Sequence, residues 1–306
     1  MLKIEQQSYD IAGKVFVLGE YAVLAGSPAV VAAVAPRFKL EPGDSNLSFP
    51  EGSPADRLLT GASNISGLKY KFIDPRDGRG GFGASTAQFA LTYKALSDVG
   101  GWSCDWINVL KKYHEVTANE GLRPSGADLV AQLCGGVALY TPSSSCVDVW
   151  PFFDWSTVLV FSATEQSGRK VATHEHLKNQ DLTDKIGAVS TDLKKALNLG
   201  IASIKKGDVK NFGEAVNIYG DVLRSHRLEI QRTSEDRRAF SELSEVLGVK
   251  GTGAMQSDAL VVIAKPGADK TKIITVAKQR GLRLVADGIA QEPGLRMTKD
   301  ERTHGF

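Results

Sequence analysis

The chain has 306 residues, 42% of them hydrophobic, with 37 basic side chains against 35 acidic. That length exceeds one ordinary domain and favours two, and the near-neutral balance lacks the excess of cations a nucleic-acid partner calls for, which leaves a small molecule as the expected ligand. Cys104, Cys134 and Cys146 are the only cysteines and form no CxxC pair. They argue against a disulfide framework or zinc site, and for a reducing, cytoplasmic setting. The opening residues Met1-Leu2-Lys3-Ile4-Glu5 lack the apolar core of a signal peptide, and the run 29–35 is too short to cross a bilayer, so no membrane partner is expected.

In chain order, Lys14 to Leu18 and Ala29 to Ala35 read as buried strands joined by a turn over 19–28. Residues 42–79, rich in Gly, Ser, Asp and Pro, read as loops with short elements. Ala87, Ala90, Leu91, Ala95 and Val99 share one helical face, predicting a helix over 84–99 that Gly100-Gly101 stops. A second helix is expected over 103–119 and a short one from Asp128 to Gly135-Gly136, followed by a strand at 137–140. The turn at 142–145 leads to another strand at 158–161. The later half gives helical patterns at 184–205, 209–226 and 234–247, a strand at 258–264, a helix at 267–280 and a strand at 282–286. Strands and helices in that order predict an α/β (α+β) protein with an antiparallel sheet in its second part. Trp102, Trp106, Trp150 and Trp155 have core-like spacing, and the tail after Met297 is polar.

The chemistry concentrates in Gly80-Gly81-Phe82-Gly83-Ala84-Ser85-Thr86. Glycines let backbone N–H groups approach an anion closely, and a helix that begins directly after them adds the positive end of its dipole. Ser85 and Thr86 add hydroxyls suited to Mg2+ or phosphate oxygen. Read alone, the same residues also describe a flexible turn with a capping serine. The loop fits neither the Walker nor the Rossmann pattern.

Three further segments accompany it in order: 12–24 (Ala-Gly-Lys-Val-Phe-Val-Leu-Gly-Glu-Tyr-Ala-Val-Leu), Arg123-Pro124-Ser125-Gly126-Ala127-Asp128, and Lys250-Gly251-Thr252-Gly253-Ala254. Together these resemble the motifs of the GHMP kinases, the superfamily of galactokinase, homoserine kinase, mevalonate kinase and phosphomevalonate kinase. The resemblance spans most of the chain and implies two domains: an N-terminal one (1–155) like ribosomal protein S5 domain 2, and a ferredoxin-like C-terminal one (156–306). It implies ATP and Mg2+ in the cleft between them, and a monomer or homodimer.

By the same resemblance, Asp128 is the catalytic base and Lys14 its cationic partner. A hydroxyl attacking a γ-phosphate is helped by a carboxylate that takes its proton, with an ammonium close by favouring the charged carboxylate. Gly81, Gly83, Ala84, Ser85 and Thr86 fall at nucleotide-binding positions. Glu20, Tyr21, Ser125, Gly126 and Gly253 fall at substrate-binding ones. Ser85 matches a Mg2+ ligand, and Glu115 or Glu120 stands near the acidic second ligand, though not at its usual spacing.

Two departures matter. Met255-Gln256-Ser257 replace the further glycines of the third motif, leaving open a ligand-binding protein without turnover, and Ala84 replaces a serine. Tyr21, where mevalonate kinases usually carry His, and Asp258 resemble phosphomevalonate kinases. That resemblance makes phosphomevalonate the leading acceptor and mevalonate the second. A phosphorylated acceptor needs cations, for which Arg79, Arg123, Arg224 and Arg227 are candidates. His174-Glu175-His176 reads as a solvated loop.

Overall fold

A computed structural model describes residues 7–62, 68–78, 81–118, 123–143, 146–149, 153–163, 171 and 180–298. Strand β1 (Ser8–Leu18) pairs antiparallel with β2 (Ala29–Asn46), and a 3-10 turn at Ala22–Ala25 lies in the connection. β2 outruns the expected strand because beyond Pro36 it alternates, with Phe38 and Leu40 buried and Lys39 exposed. The stretch read as loops holds α1 (Pro54–Gly61) and β3 (Lys69–Ile73). Ser53 starts α1 by accepting the Asp56 N–H at 3.2 Å, with Pro54 at the first helical position.

Helices α2 (Ala84–Gly100), α3 (Trp106–Val116) and α4 (Ala127–Cys134) follow, then β4 (Val137–Thr141) and β5 (Cys146–Val149). The second half runs β6 (Val158–Ala163), α5 (Gln180–Lys206), α6 (Val209–Ser225), α7 (Gln231–Ser241), β7 (Val246–Thr252), β8 (Ala259–Ala264), α8 (Thr271–Gln279), β9 (Leu282–Asp287) and β10 (Arg296–Thr298). The helical pattern expected over 234–247 stops at Ser241. Gly248, in β7, lies so close to α6 that an added Cβ would sit 2.3 Å from the Gly213 carbonyl oxygen. Close packing of helix on strand decides that segment.

Two antiparallel sheets result. The first has the order β10-β1-β2-β4-β5 with β3 also on β2, and the second has the order β7-β8-β6-β9, the ferredoxin-like arrangement that was expected. The last strand therefore returns to the first sheet, where Ser8 pairs with Thr298. Buried Asp10 fastens this return by accepting from Arg37 and from Arg296 Nε at 2.7 Å, while Arg37 also donates to the Pro293 and Gly294 carbonyls.

Three apolar clusters fill the layers. One lies between the first sheet and α2 to α4, and one lies on the far side of the second sheet with Phe240 and Ile273. The third spans both halves, packing Val15, Val17 and Leu18 of β1 with Leu193, Val216 and Val261. The halves thus share a continuous core. Trp155 is in this core, whereas Trp102 is 45% exposed, contrary to its expected burial. Trp150, the 174–176 segment and the tail beyond Thr298 lie outside the described residues.

Candidate active site

An irregularity in β1 aims the central cation. Upstream, Tyr9 and Ile11 face the helical layer, and strict alternation would send Lys14 to the opposite face. A register shift between Ile11 and Gly13 reverses the parity, so that Phe16 joins the helix-side core while Val15 and Val17 join the other. Lys14 accordingly reaches α4, where its Nζ lies 3.0 Å from Asp128 Oδ2. The lysine is almost fully buried, but about a third of the Asp128 side chain remains exposed. That exposure leaves the carboxylate within reach of a small molecule from solvent.

The start of α4 is held from three directions. Gly126 caps it at a φ of 78°, and an added Cβ would lie 2.2 Å from Leu110 Cδ1. Glycine is required there both for φ and for space. Ser125 Oγ accepts the Ala127 N–H at 3.3 Å, and His114 Nε2 lies 3.1 Å from the Pro124 carbonyl. Burial, then the nearby Arg123, pushes the His114 pKa below the ordinary histidine value. Asp128 sits in the first turn, where the helix dipole favours a negative charge.

The glycine-rich loop is attached to the same pair. The Phe82 carbonyl accepts the Lys14 N–H at 3.0 Å, and Gly81 and Gly83 have φ values of 92° and 83°. Gly83 precedes α2 and offers no side chain to cap it, so the first-turn amides of a 17-residue helix are presented to an anion. Ser85 is exposed beside them. Thr86 is not: its hydroxyl is buried, 2.5 Å from Gln132 Oε1 and 3.0 Å from the Gly83 carbonyl. Gln132, fully buried on α4, also donates to the Ala12 carbonyl at 2.8 Å. It ties β1, the loop and both helices together. Sequence reasoning missed it, since a glutamine in an apolar stretch carries no motif; its only signal was a polar residue on the buried face of a short helix.

The remaining expected contacts form a junction. Glu20 Oε1 accepts from Lys250 Nζ and, at 3.0 Å, from Gln256 Nε2, while Tyr21 Oη accepts the Met255 N–H at 2.7 Å. Tyr219 Oη donates to the Glu20 carbonyl at 2.7 Å. Glu20, Tyr21 and Lys250 are all buried, and burial pushes the Lys250 pKa down against the opposing pull of Glu20. These groups face protein atoms and brace the two halves. Gly253, at a φ of 87°, lies against Asp258: an added Cβ would sit 2.0 Å from Asp258 Oδ2, and one on Gly81 would sit 2.3 Å from Asp258 Cβ. Asp258 thus fills the space between the second motif and the third.

The fit to nucleotide and metal can be judged from this geometry. Two glycines at positive φ before an uncapped helix fit a phosphate chain. Among the described residues no cluster of three or more His, Cys, Asp or Glu is disposed to hold a metal. Mg2+ carried by phosphates needs only one or two protein oxygens, and the exposed Ser85 hydroxyl can supply one. Glu115 does not join it: the side chain is 65% exposed on α3 and pairs with Lys112 at 2.7 Å. Glu120, Arg79 and Gly80 lie outside the described residues. Of the candidate arginines, Arg123 and Arg227 are exposed and Arg224 pairs with Asp221 at 3.2 Å.

Motif order, fold and the Lys14–Asp128 pair point to one class, and the chain is similar over nearly its whole length to kinases of the GHMP type. No family model matches the sequence. The chain is 25% identical over 318 aligned positions to a mevalonate kinase of Aeropyrum pernix, covering 91% of this chain and 92% of that one. Its fold is similar to that of Streptococcus pneumoniae phosphomevalonate kinase, solved with phosphomevalonate and AMPPNP, with a TM-score of 0.72, 14% identity, and 95% and 99% of the two chains covered. L. major mevalonate kinase, solved with R-mevalonate, gives 0.67 at 18% identity, with 92% and 96% covered.

Proposed function

We propose that the chain transfers the γ-phosphoryl group of ATP to a small acid of the mevalonate pathway, with phosphomevalonate as the acceptor. The observation that carries the reading is the Lys14–Asp128 pair, a buried ammonium 3.0 Å from a part-exposed carboxylate and hydrogen-bonded through its own backbone to the glycine-rich loop. Asp128 accepts the proton of the attacking oxygen, that of a monoprotonated phosphate in phosphomevalonate or of the hydroxyl in mevalonate, as this oxygen bonds to the γ-phosphorus and the bond from that phosphorus to the β-phosphate oxygen breaks, releasing ADP. Lys14 keeps the carboxylate oriented and offsets negative charge between the reacting groups. The backbone amides at Gly83, Ala84 and Ser85 bind the phosphate chain, while the Ser85 hydroxyl offers an oxygen to Mg2+. Ser125 and Gly126 set the start of α4 and hence the position of Asp128. Thr86, Glu20, Tyr21 and Gly253 support the site from behind.

Phosphomevalonate is favoured by Tyr21 and Asp258, whose positions resemble those of phosphomevalonate kinases. Mevalonate is the second reading, supported by the sequence relative from Aeropyrum pernix. ADP release measured with mevalonate, phosphomevalonate, homoserine and galactose separates the two. The expected result is turnover with phosphomevalonate and at least tenfold lower kcat/KM for the other three. Preference for mevalonate reverses the order of the readings, and nucleotide binding without turnover on any acceptor favours a sensor.

A further inference from the structure

Arg76 lies outside every motif, yet it is the cation packed behind the glycine-rich loop. Its side chain is 7% exposed, with the guanidinium carbon 4.6 Å from the centre of the Phe82 ring and 5.2 Å from that of Phe38. Phe82 stands between Gly81 and Gly83. The same guanidinium lies on Gly13, where an added Cβ would be 2.6 Å from Nη2, and Gly13 precedes Lys14. Glycine at position 13 is what makes room for the charge.

The hydrogen bonding of this group is incomplete. Nη2 donates to the Val34 carbonyl at 3.4 Å, while Nε and Nη1 are buried without a hydrogen-bond partner. The carboxylate that acts on it, Asp74, accepts hydrogen bonds from the backbone N–H groups of Arg76 and Gly78, at 2.8 and 3.0 Å. Burial pushes the arginine pKa down to about 10, which leaves it charged at neutral pH. A buried, underpaired cation is costly, and a methionine of similar length would fill the same slot between two phenyl rings without that cost. Retaining the charge makes sense where an anion is to be held nearby.

We propose that Arg76 is a positioning residue for the nucleotide, a standing positive charge behind the loop at Gly81–Gly83 that strengthens binding in proportion to the number of phosphate charges placed on the loop. The inference rests on the phosphoryl-transfer reading above. It acts through the loop backbone, because Phe82 and Gly13 lie against the guanidinium. Exposed charges at similar range are screened by salt, whereas one enclosed by aromatic rings and backbone is screened much less.

The test is calorimetric titration of the whole protein with ATP, ADP and AMP, comparing Arg76→Met and Arg76→Lys with the unaltered chain, with melting curves establishing that each is folded. The expected result is a loss of about tenfold in ATP affinity for Arg76→Met, a smaller loss for ADP and less than twofold for AMP. Arg76→Lys, which retains a cationic group but not the planar guanidinium, is expected to lose less ATP affinity than Arg76→Met while keeping the order of the three nucleotides. Equal losses for the three nucleotides, or equal losses in the Met and Lys variants, would overturn the proposal by making Arg76 a packing residue only. If Arg76→Met does not fold, Arg76→Gln, neutral but able to hydrogen bond, is judged by the same gradient. Failure of the unaltered protein to bind any of the three contradicts the kinase reading itself, whereas a missing gradient contradicts only the role of Arg76.

Discussion

The second and third motifs use the same backbone conformation in opposite ways. In the loop at 81–83 the positive φ angles belong to glycines, and α2 begins after Gly83 without a side-chain cap. In the loop at 253–257 only Gly253 is a glycine: Met255 and Gln256 hold φ values of 51° and 57°, and Tyr21, which meets them from the first motif, holds 62°. Non-glycine residues in that region are strained, and the strain persists only where neighbours over-determine it. Here the Met255 N–H is fixed by Tyr21 Oη, the Gln256 amide by Glu20, and the Glu20 carboxylate by Lys250. On the proposed reading one loop receives a ligand, while the other locks two halves of the chain. The residues that stand in place of the third motif's glycines are thus held by bracing contacts.

The most severe way to break this contrast is to remove the cation of the lock. Lys250→Met leaves Glu20 buried without its ammonium, and chemical denaturation is expected to show a loss of about 3–5 kcal/mol. The double variant Lys250→Met/Glu20→Gln should recover part of it, because the stranded charge is gone. Next in size are Gly81→Ala and Gly253→Ala, each of which forces a Cβ onto Asp258 and a strained φ on alanine. About 1–2 kcal/mol of stability should be lost in each from φ alone, with the contact adding to it. Gly81→Ala should also weaken ATP binding in a titration, which Gly253→Ala should do less. The smallest effect belongs to Met255→Gly: relief of about 1 kcal/mol of strain is offset by lost packing and greater chain entropy, leaving a net change under about 1 kcal/mol. A loss above 3 kcal/mol there would show that the side chain, not the backbone, makes the lock.

What the sequence revealed and what it hid have physical causes. The helix after the glycine loop and the short helix carrying Asp128 were legible because apolar periodicity and glycine stops are local signals, whereas the ferredoxin-like order was implied only by the resemblance of the motifs. The register shift that turns Lys14 toward Asp128 was not, since only pairing with β2 defines it. Nor was the return of β10 to β1, a pairing across nearly the whole chain that depends on Asp10, Arg37 and Arg296 meeting in space. Thr86 and Glu20 carried the right motif but not a free side chain: their polar atoms are spent on Gln132 and on Lys250 and Gln256. Glu115 shows the converse, since a carboxylate near the right place in sequence ended on the exposed face of α3 with Lys112.

The central claim is that Asp128, held by Lys14, takes the proton during phosphoryl transfer. ADP formation by Asp128→Asn, measured with the acceptor the unaltered protein prefers and compared at saturating ATP, tests it most directly. The account predicts a fall in kcat of about 10²–10⁴-fold, with ATP affinity within about threefold of the original, because the phosphate loop is untouched. Turnover by Asp128→Asn at the original rate would contradict it.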